Sequence, residues 1–317
     1  MLNLVHLKVL AAVARHGSVT EAARELHYSQ PSVSHHLSRL EAATGVKLVQ
    51  RVGRGIRLTP EGELLANRAT EIVGRVDAAT SELAAQVGLR AGRVRLAANA
   101  SVLSTIVPKA AVTLTEAHPG LELSVIDRHP VEALQMLRHG EVDVALVFRY
   151  AHAPLEDDGF RMVHVADDPI YLVSRRPDDS VANHRHSAWI GGCERCQGEL
   201  TAVCRHHGFT PRIESVCDDM VVVQALVAAG TGVATLPGLA LRAHRLPDVH
   251  TTEIPGFPRQ IYTVTYGDPP DPPATKALIQ AIQDSARQEA GPASGKAGAL
   301  PSHDVRSSGT ATASEGR

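Results

Sequence analysis

Cysteine and histidine side chains near residue 200 are spaced closely enough to do chemistry together. They are Cys193, Cys196, Cys204, His206, His207 and Cys217. A Cys-x-x-Cys pair at the start of a helix can have a lowered thiol pKa, which suits redox sensing, and Cys and His side chains together can bind zinc. The alternative is a structural role as small buried side chains, because Cys196 and Cys204 lie about two turns apart on one predicted helix. We favour the structural role and assign no metal site.

A second set of polar residues follows the first predicted strand of the body. Asn99 and Ser101 end the strand that begins near Val94, and Thr105 lies in the first turn of the next helix. Open α/β sheets bind ligands beyond the carboxyl ends of their strands, and helix N-termini favour anions. Arg149, just past another strand, would add a positive charge. These residues predict a cleft for a small anionic effector, with simple helix capping by Ser101 as the alternative.

The sequence contains no recognisable catalytic motif. It has no phosphate-binding loop, no nucleophile elbow, no zinc-protease motif and no Gly-rich dinucleotide fingerprint at its first body strand. The turn Gly230-Thr231-Gly232 follows a helix and is therefore a weak phosphate cradle. We predict a binding protein that is not an enzyme and needs no cofactor.

The clearest polar surface lies on the third predicted helix, which begins after Ser29. Its polar side chains are Gln30, Ser32, Ser34, His35, Ser38 and Arg39. Residues 1–58 contain eight Lys or Arg against three Glu, although the whole chain has a net charge of -2. A basic head on an acidic body indicates a polyanionic partner for the head. Two short helices with a tight turn predict a helix-turn-helix whose second helix enters the major groove of DNA; an interaction module with a solvated charged face is the alternative.

The segment from Lys47 to Leu58 predicts a basic hairpin. Arg51, Arg54 and Arg57 lie around its glycines. Such a wing can bind the phosphate backbone beside the major groove.

Thr59 and Pro60 begin a long helix that continues to about residue 90. Its apolar residues alternate in spacing between four and three: Leu65, Ala69, Ile72, Val76, Ala79 and Leu83. This spacing predicts a coiled-coil-like seam that dimerises the chain; a helix packed on its own body is the alternative.

The remaining residues divide into an α/β body and a tail. Strands rich in β-branched residues alternate with helices over residues 92–289, which predicts a parallel sheet with helices on both faces. Residues 290–317 are rich in Gly, Ser, Ala and Thr and predict a disordered tail. Chain crossings near His164 and Thr263 would divide the body into subdomain I, about 92–163 and 264–289, and subdomain II, about 164–263.

The first 62 residues strongly resemble the LysR-type transcriptional regulators. The residues that carry the resemblance are Leu7, Val13, Ser18, Ala22, Ala23, Leu26, Ser29, Gln30, Pro31, Ser32, Val33, Ser34, Leu37, Leu40, Glu41, Gly45, Leu48, Arg51, Arg54, Leu58, Thr59, Pro60, Glu61 and Gly62. The resemblance implies a winged helix-turn-helix over residues 1–58, a linker helix over 59–90 and an effector domain similar to periplasmic binding proteins. It also implies a bacterial regulator that binds double-stranded promoter DNA and acts as a homodimer or homotetramer; contact with RNA polymerase is compatible with that role.

The resemblance also assigns roles to individual residues of the head. It implies that Gln30, Pro31, Ser34 and His35 contact base edges or methyl groups, and that Arg54 reaches into the minor groove or to the phosphate beside it. His35 stands where many members carry Arg or Gln, so the base sequence that it reads does not follow from the resemblance.

Composition sets the expected class and compartment. Hydrophobic residues make up 44% and charged residues 21% of the 317 residues, a balance typical of soluble proteins. Four Cys in a chain of this size predict thiols in a reducing cytoplasm. Residues 220–241 carry no formal charge, but two glycines and a proline break this stretch, so we predict a buried helix and strand there and no membrane partner.

Overall fold

The chain begins with a winged helix-turn-helix, as expected from the sequence. The computed structural model describes residues 2–52, 55–86, 92–151, 159–267 and 269–290. In the head, the elements in chain order are α1 (Leu4–His16), α2 (Val19–Glu25), α3 (Gln30–Thr44), β1 (Val49–Val52) and β2 (Gly55–Leu58). The two strands pair antiparallel and form the wing. Residues 53 and 54 lie outside the described residues, and so does the side chain of Arg51, so the predicted DNA contacts of Arg51 and Arg54 stay predictions.

Local chemistry explains where the helices of the head begin and end. The Ser18 side chain accepts a hydrogen bond from the backbone N–H of Glu21, and the Ser29 side chain accepts one from Ser32, so both hydroxyls cap helix N-termini. Gly17 ends α1 in the left-handed conformation, which glycine adopts without strain. Because Ala22 and Ala23 are small and buried, α2 packs closely against its neighbours.

A long helix, α4 (Pro60–Gln86), follows the wing. The backbone N–H of Gly62 donates to the Thr59 hydroxyl, which caps this helix. The predicted seam is wrong at its beginning: Leu65 and Ala69 pack into the core of the head instead of facing a partner. The reason is that the first turns of α4 complete the apolar core formed by α1 to α3. The later seam residues Ile72, Val76, Ala79 and Leu83 are exposed.

The body is a mixed α/β structure. In chain order, its first elements are β3 (Gly92–Ala98), α5 (Ala100–Leu103), α6 (Ile106–Ala117), β4 (Leu121–Asp127), α7 (Pro130–Arg138), β5 (Val144–Arg149) and β6 (Phe160–Ser174). They are followed by β7 (Ala188–Gly191), α8 (Glu194–His206), β8 (Arg212–Val216), α9 (Met220–Ala228), β9 (Val233–Pro237), α10 (Gly238–Ala243), β10 (His250–Tyr266) and α11 (Pro273–Ala290). The strands lie in the order β4-β3-β5-β10-β6-β9-β7-β8.

Two long antiparallel strands, β6 and β10, connect the two halves of this sheet, so the prediction of a parallel sheet is wrong at its centre. The last residues of β10 pair with β5, as in Val264 with Ala145, and belong to subdomain I. The last residues of β6 pair with β9, as in Leu172 with Thr235, and belong to subdomain II. The ladder between β6 and β10 is irregular between Ile254 and Arg259. Chain crossings of this kind form the connection about which two subdomains can move.

The apolar stretch at residues 220–241 is divided among a helix, a turn and a strand followed by a short helix. It contributes α9, β9 and the start of α10. Within the part of the chain that the structure describes, no helix is both long and apolar enough to cross a bilayer. The predicted tail beyond residue 290 lies outside the described residues.

Candidate DNA-binding surface and effector cleft

Helix α3 presents its polar face to solvent. Val33, Leu37 and Leu40 are buried in the core of the head. The side chains on the opposite face are exposed: Gln30, Pro31, Ser34, His35, Ser38 and Arg39. The hydroxyl of Ser32, which was predicted to contact DNA, lies 2.9 Å from that of Ser29 and is only half exposed, so it belongs to the helix cap. The exposed face offers one flexible cation, a carboxamide, an imidazole and hydroxyl groups, a set that can hydrogen-bond to base edges.

The buried carboxylate of Glu41 holds the wing against this helix. Its Oε1 accepts hydrogen bonds from the backbone N–H groups of Leu48 at 3.0 Å and Val49 at 3.3 Å, and its Oε2 pairs with Lys47 at 2.7 Å. Burial opposes the ionised form, but these three hydrogen bonds outweigh it and lower the pKa of Glu41. Glu41 therefore fixes the start of β1, the strand that carries the backbone of Arg51, relative to α3.

A cavity of about 420 Å³ lies between the two subdomains of the body. Subdomain I contributes Asn99, Ser101, Asp127, His129, Phe148 and Tyr150 to its wall. Subdomain II contributes Ile190, Cys196, Glu199, Leu200, Asp218 and Asp219. Ile170 and Arg259 line it from the connecting strands. A cavity of this size, with both apolar and polar side chains in its wall, is typical of a site for a small molecule.

A buried ion pair crosses the back of the cavity. Asp168, on β6, is fully buried, and its Oδ2 accepts hydrogen bonds from Nε of Arg259 at 2.8 Å and Nη2 at 2.7 Å. The other carboxylate oxygen accepts from the backbone N–H of Leu239 at 2.8 Å. Arg259 also donates to the Ser101 hydroxyl and lies over the ring of Phe148. These contacts hold β6 and β10 against the carboxyl end of β3, because Ser101 comes shortly after that strand.

The four predicted effector residues occupy different positions. Asn99 and Ser101 line the cavity. Thr105 is buried and its hydroxyl donates to the backbone carbonyl of Ser101 at 2.7 Å, which stabilises the turn between α5 and α6. Arg149 is not part of the described cavity wall: its guanidinium donates to the Tyr262 hydroxyl at 2.8 Å. The prediction that Arg149 supplies the positive charge for an anionic ligand is therefore wrong, because Arg149 lies on the side of β5 that faces Tyr262.

The cysteines do not gather into one site. The Sγ atoms of Cys193 and Cys196 lie 3.1 Å apart, whereas Cys204 is buried among apolar residues and burial raises its pKa to about 12. The hydrogen bond with the Cys196 thiol lowers the pKa of Cys193. The described residues contain no group of three or more His, Cys, Asp or Glu that could hold a metal ion.

Sequence reasoning missed Arg259, Asp168 and Glu199. Arg259 is separated from Ser101 by 158 residues, and no spacing rule connects the two. Glu199 is buried on α8, and burial raises its pKa to about 7. An acidic residue within the apolar face of a helix is the one signal in the sequence that could have indicated it.

Two family profiles cover most of the chain. Residues 4–63 match the bacterial regulatory helix-turn-helix protein of the lysR family. Residues 88–287 match the LysR substrate binding domain. The first match coincides with the head and the first turn of α4, and the second with the α/β body.

Individual proteins match this chain over most of its length. The transcriptional regulator TfdS of Cupriavidus pinatubonensis is 28% identical over 261 residues, which cover 78% of this chain and 86% of that protein. The RuBisCO operon transcriptional regulator of Acidithiobacillus ferrooxidans is 28% identical over 305 residues, with 92% and 96% covered. Among solved structures, full-length CbnR in complex with its target DNA superposes with a TM-score of 0.63 at 22% identity, covering 90% of this chain and 100% of that one.

Proposed function

We propose that this chain, which belongs to the LysR family of bacterial transcriptional regulators, changes its binding to promoter DNA when a small molecule occupies the cavity of its body. Proteins of this family bind DNA and are not enzymes. The observation that carries the proposal is the combination of an exposed polar recognition helix with a cavity lined from two subdomains, joined by one long helix.

The DNA-binding part of the proposal rests on α3 and the wing. Gln30 and His35 lie exposed on one face, and Gln can form two hydrogen bonds with adenine in the major groove. Arg39 lies on the same face and is suited to phosphate. We expect the wing to contact the phosphate backbone of DNA through the basic segment that contains Arg51 and Arg54.

The exposed apolar stripe on α4 supports dimerisation. Ile72 is 41% exposed, Val76 39% and Leu83 70%, and these residues recur on one face of the helix. Apolar side chains at this spacing lose contact with water when a second helix covers them. A dimer would bind two half-sites on promoter DNA, and dimers could pair into tetramers. Contact with RNA polymerase and an intracellular location near the chromosome follow from the same role.

A continuous path connects the cavity with α4. Helix α7 begins next to His129, which lines the mouth of the cavity, and ends at Arg138, directly before His139. The turn after α7 packs backbone to backbone on α4: a Cβ atom added to Gly74 would lie 2.0 Å from the carbonyl oxygen of His139. Such a contact leaves no room for a side chain, so a shift of α7 must be accommodated by α4. This is a physical route by which movement of the subdomains can reach the DNA-binding head.

The experiment compares binding of the full chain to the DNA upstream of its own gene and to random DNA of equal length. We expect a preference for the upstream DNA that survives at about 150 mM salt, because base contacts depend less on salt than phosphate contacts do. Gln30→Ala should reduce the preference by about 1 to 3 kcal/mol, whereas Gln280→Ala, at an exposed position on α11, should not. Equal affinity for both DNAs contradicts the proposal.

A further inference from the structure

The one Lys or Arg among the described residues of the cavity wall is already neutralised. Arg259 is 3% exposed, and its guanidinium donates twice to Asp168, which is itself fully buried. A buried ion pair with this geometry carries no net charge into the cavity. An anionic ligand would have to compete with Asp168 for the same N–H groups.

The N-terminus of α9, which lies at the cavity, is also occupied by a negative group of the chain. At the start of α9, the Asp219 carboxylate accepts hydrogen bonds from the backbone N–H groups of Val221 at 2.8 Å and Val222 at 3.1 Å. This positive helix end is thus satisfied without a ligand.

Carboxylates surround the mouth of the cavity from both sides. Asp127, at the end of β4, belongs to subdomain I, and Asp218 and Asp219 belong to subdomain II. Deeper in the cavity lies Glu199. The imidazole of His129 lies 3.6 Å from Asp218. The wall therefore has an excess of negative charge.

A buried hydrogen-bond acceptor without a donor also favours a ligand that donates hydrogen bonds. Asn99 is 8% exposed, its Nδ2 donates to the Ser101 hydroxyl at 2.8 Å, and its Oδ1 finds no hydrogen-bond partner among the residues that the structure describes. A polar atom held out of water without a partner is costly and calls for a donor from a ligand. An ammonium group supplies N–H donors and no acceptor, whereas a carboxylate supplies acceptors alone. Phe148 and Ile170 provide an apolar surface for the remainder of the molecule.

We infer that the ligand of this cavity is an organic cation, a primary amine on an apolar body, which binds with its ammonium group among Asp127, Asp218 and the Asn99 carbonyl. This inference rests on the proposed use of the cavity as the effector site. Without the cation, carboxylates from the two subdomains repel each other across the mouth; with it, both are attracted to the same charge. The amine therefore binds the closed arrangement better than the open one, which is what a ligand needs to shift the equilibrium between them.

The test uses the full chain and three series of compounds with identical apolar bodies of about six to ten carbon atoms. One series ends in a primary amine, one in an alcohol and one in a carboxylate. Binding is measured by calorimetry and by the midpoint of thermal unfolding. Asp218→Asn and Asp127→Asn remove one charge from each side of the mouth. Asp248→Asn is the matched control, because Asp248 is an exposed aspartate of the same subdomain as Asp218 outside the cavity wall.

We expect at least one amine to bind more tightly than the alcohol and the carboxylate with the same body. Its dissociation constant should rise at least about fivefold in Asp218→Asn and in Asp127→Asn, because each loses a nearby opposite charge, and should stay within about twofold in Asp248→Asn. Amines that bind no better than the alcohols, or bind equally to Asp218→Asn and Asp248→Asn, overturn the inference.

The same experiment separates this inference from the proposed function. A carboxylate that binds best overturns the cationic ligand but leaves the cavity as an effector site. An amine that binds with the expected dependence on Asp218 supports the cationic ligand; if that amine leaves binding of the upstream DNA unchanged, the result counts against the proposed coupling of cavity and head.

Discussion

Replacing Glu41 by Gln tests how the wing is held against the recognition helix. Gln keeps the shape of the side chain but removes its charge, so the hydrogen bonds from the N–H groups of Leu48 and Val49 become neutral. A hydrogen bond to a charged group contributes about 1 kcal/mol more than a neutral one. Two such bonds give a loss of about 2 kcal/mol. The pair with Lys47 adds less than about 1 kcal/mol, because the Lys47 side chain is 80% exposed.

The assay is hydrogen exchange at the Leu48 and Val49 amides in the full chain, together with affinity for the upstream DNA. We expect both amides to exchange about 30-fold faster at neutral pH. Affinity for the upstream DNA should fall by between about threefold and 30-fold, because binding must then restore the position of the wing. Glu21→Gln is the control: its carboxylate is exposed and pairs with Arg24, so it removes the same charge near DNA without touching the wing.

The effect should also depend on pH. The pKa of Glu41 is lowered in the folded chain, so its ionised form stabilises the fold above the ordinary Glu pKa of about 4.3, and this contribution is lost as pH falls through the lowered value. The difference between wild type and Glu41→Gln should therefore be full at pH 7 and shrink in acid. Unchanged exchange at Leu48 and Val49, or a difference of equal size in acid and at neutral pH, would refute the reasoning.

Three further substitutions test the linker, the cavity and the path between them. Ile72→Asp places a charge in the apolar stripe of α4 and should reduce the mass measured by light scattering towards that of a monomer. Asn67→Asp, at an exposed polar position of the same helix, should leave the mass unchanged. Equal masses for wild type and Ile72→Asp would contradict the dimer. Ser101→Ala leaves the donors that face its hydroxyl without an acceptor and should lower the stability of the body by about 1 to 3 kcal/mol in denaturant unfolding. It should also abolish the ligand response while basal DNA affinity stays within about twofold; a retained response would exclude Ser101 from the site. Gly74→Ala forces a Cβ against the His139 carbonyl and should weaken the ligand response measured at the upstream DNA while ligand affinity is largely kept; an intact response would show that the coupling takes another path.

The head could be predicted almost completely because its signals are local. The caps at Ser18 and Ser29, the glycine at position 17 and the buried face of α3 all act within a few residues. The beginning of the dimer seam was mispredicted because spacing alone cannot tell an apolar face that packs on its own chain, as at Ala69, from one that awaits a partner.

The cavity could be predicted only in part. Asn99 and Ser101 follow a strand directly, and the rule about strand ends finds them from sequence. Arg259 and Asp168 reach the same place through the long pairing of β6 with β10, which depends on contacts between distant residues. The side of β5 on which Arg149 lies follows from strand register, and a shift of one residue would reverse it.

The pairing of β6 with β10 also makes subdomain II an insertion in the chain. His164 and Tyr262 are partners in one antiparallel ladder, so the segment between them leaves and re-enters subdomain I at adjacent points. Partners in such a ladder lie only about 5 Å apart, a gap that a two-residue hairpin turn can close. A shortened chain with such a turn would keep the neighbours of β3, β4 and β5 in the sheet. The same two positions are therefore natural graft points for exchanging one ligand-recognition half for another while the rest of the regulator keeps its own backbone.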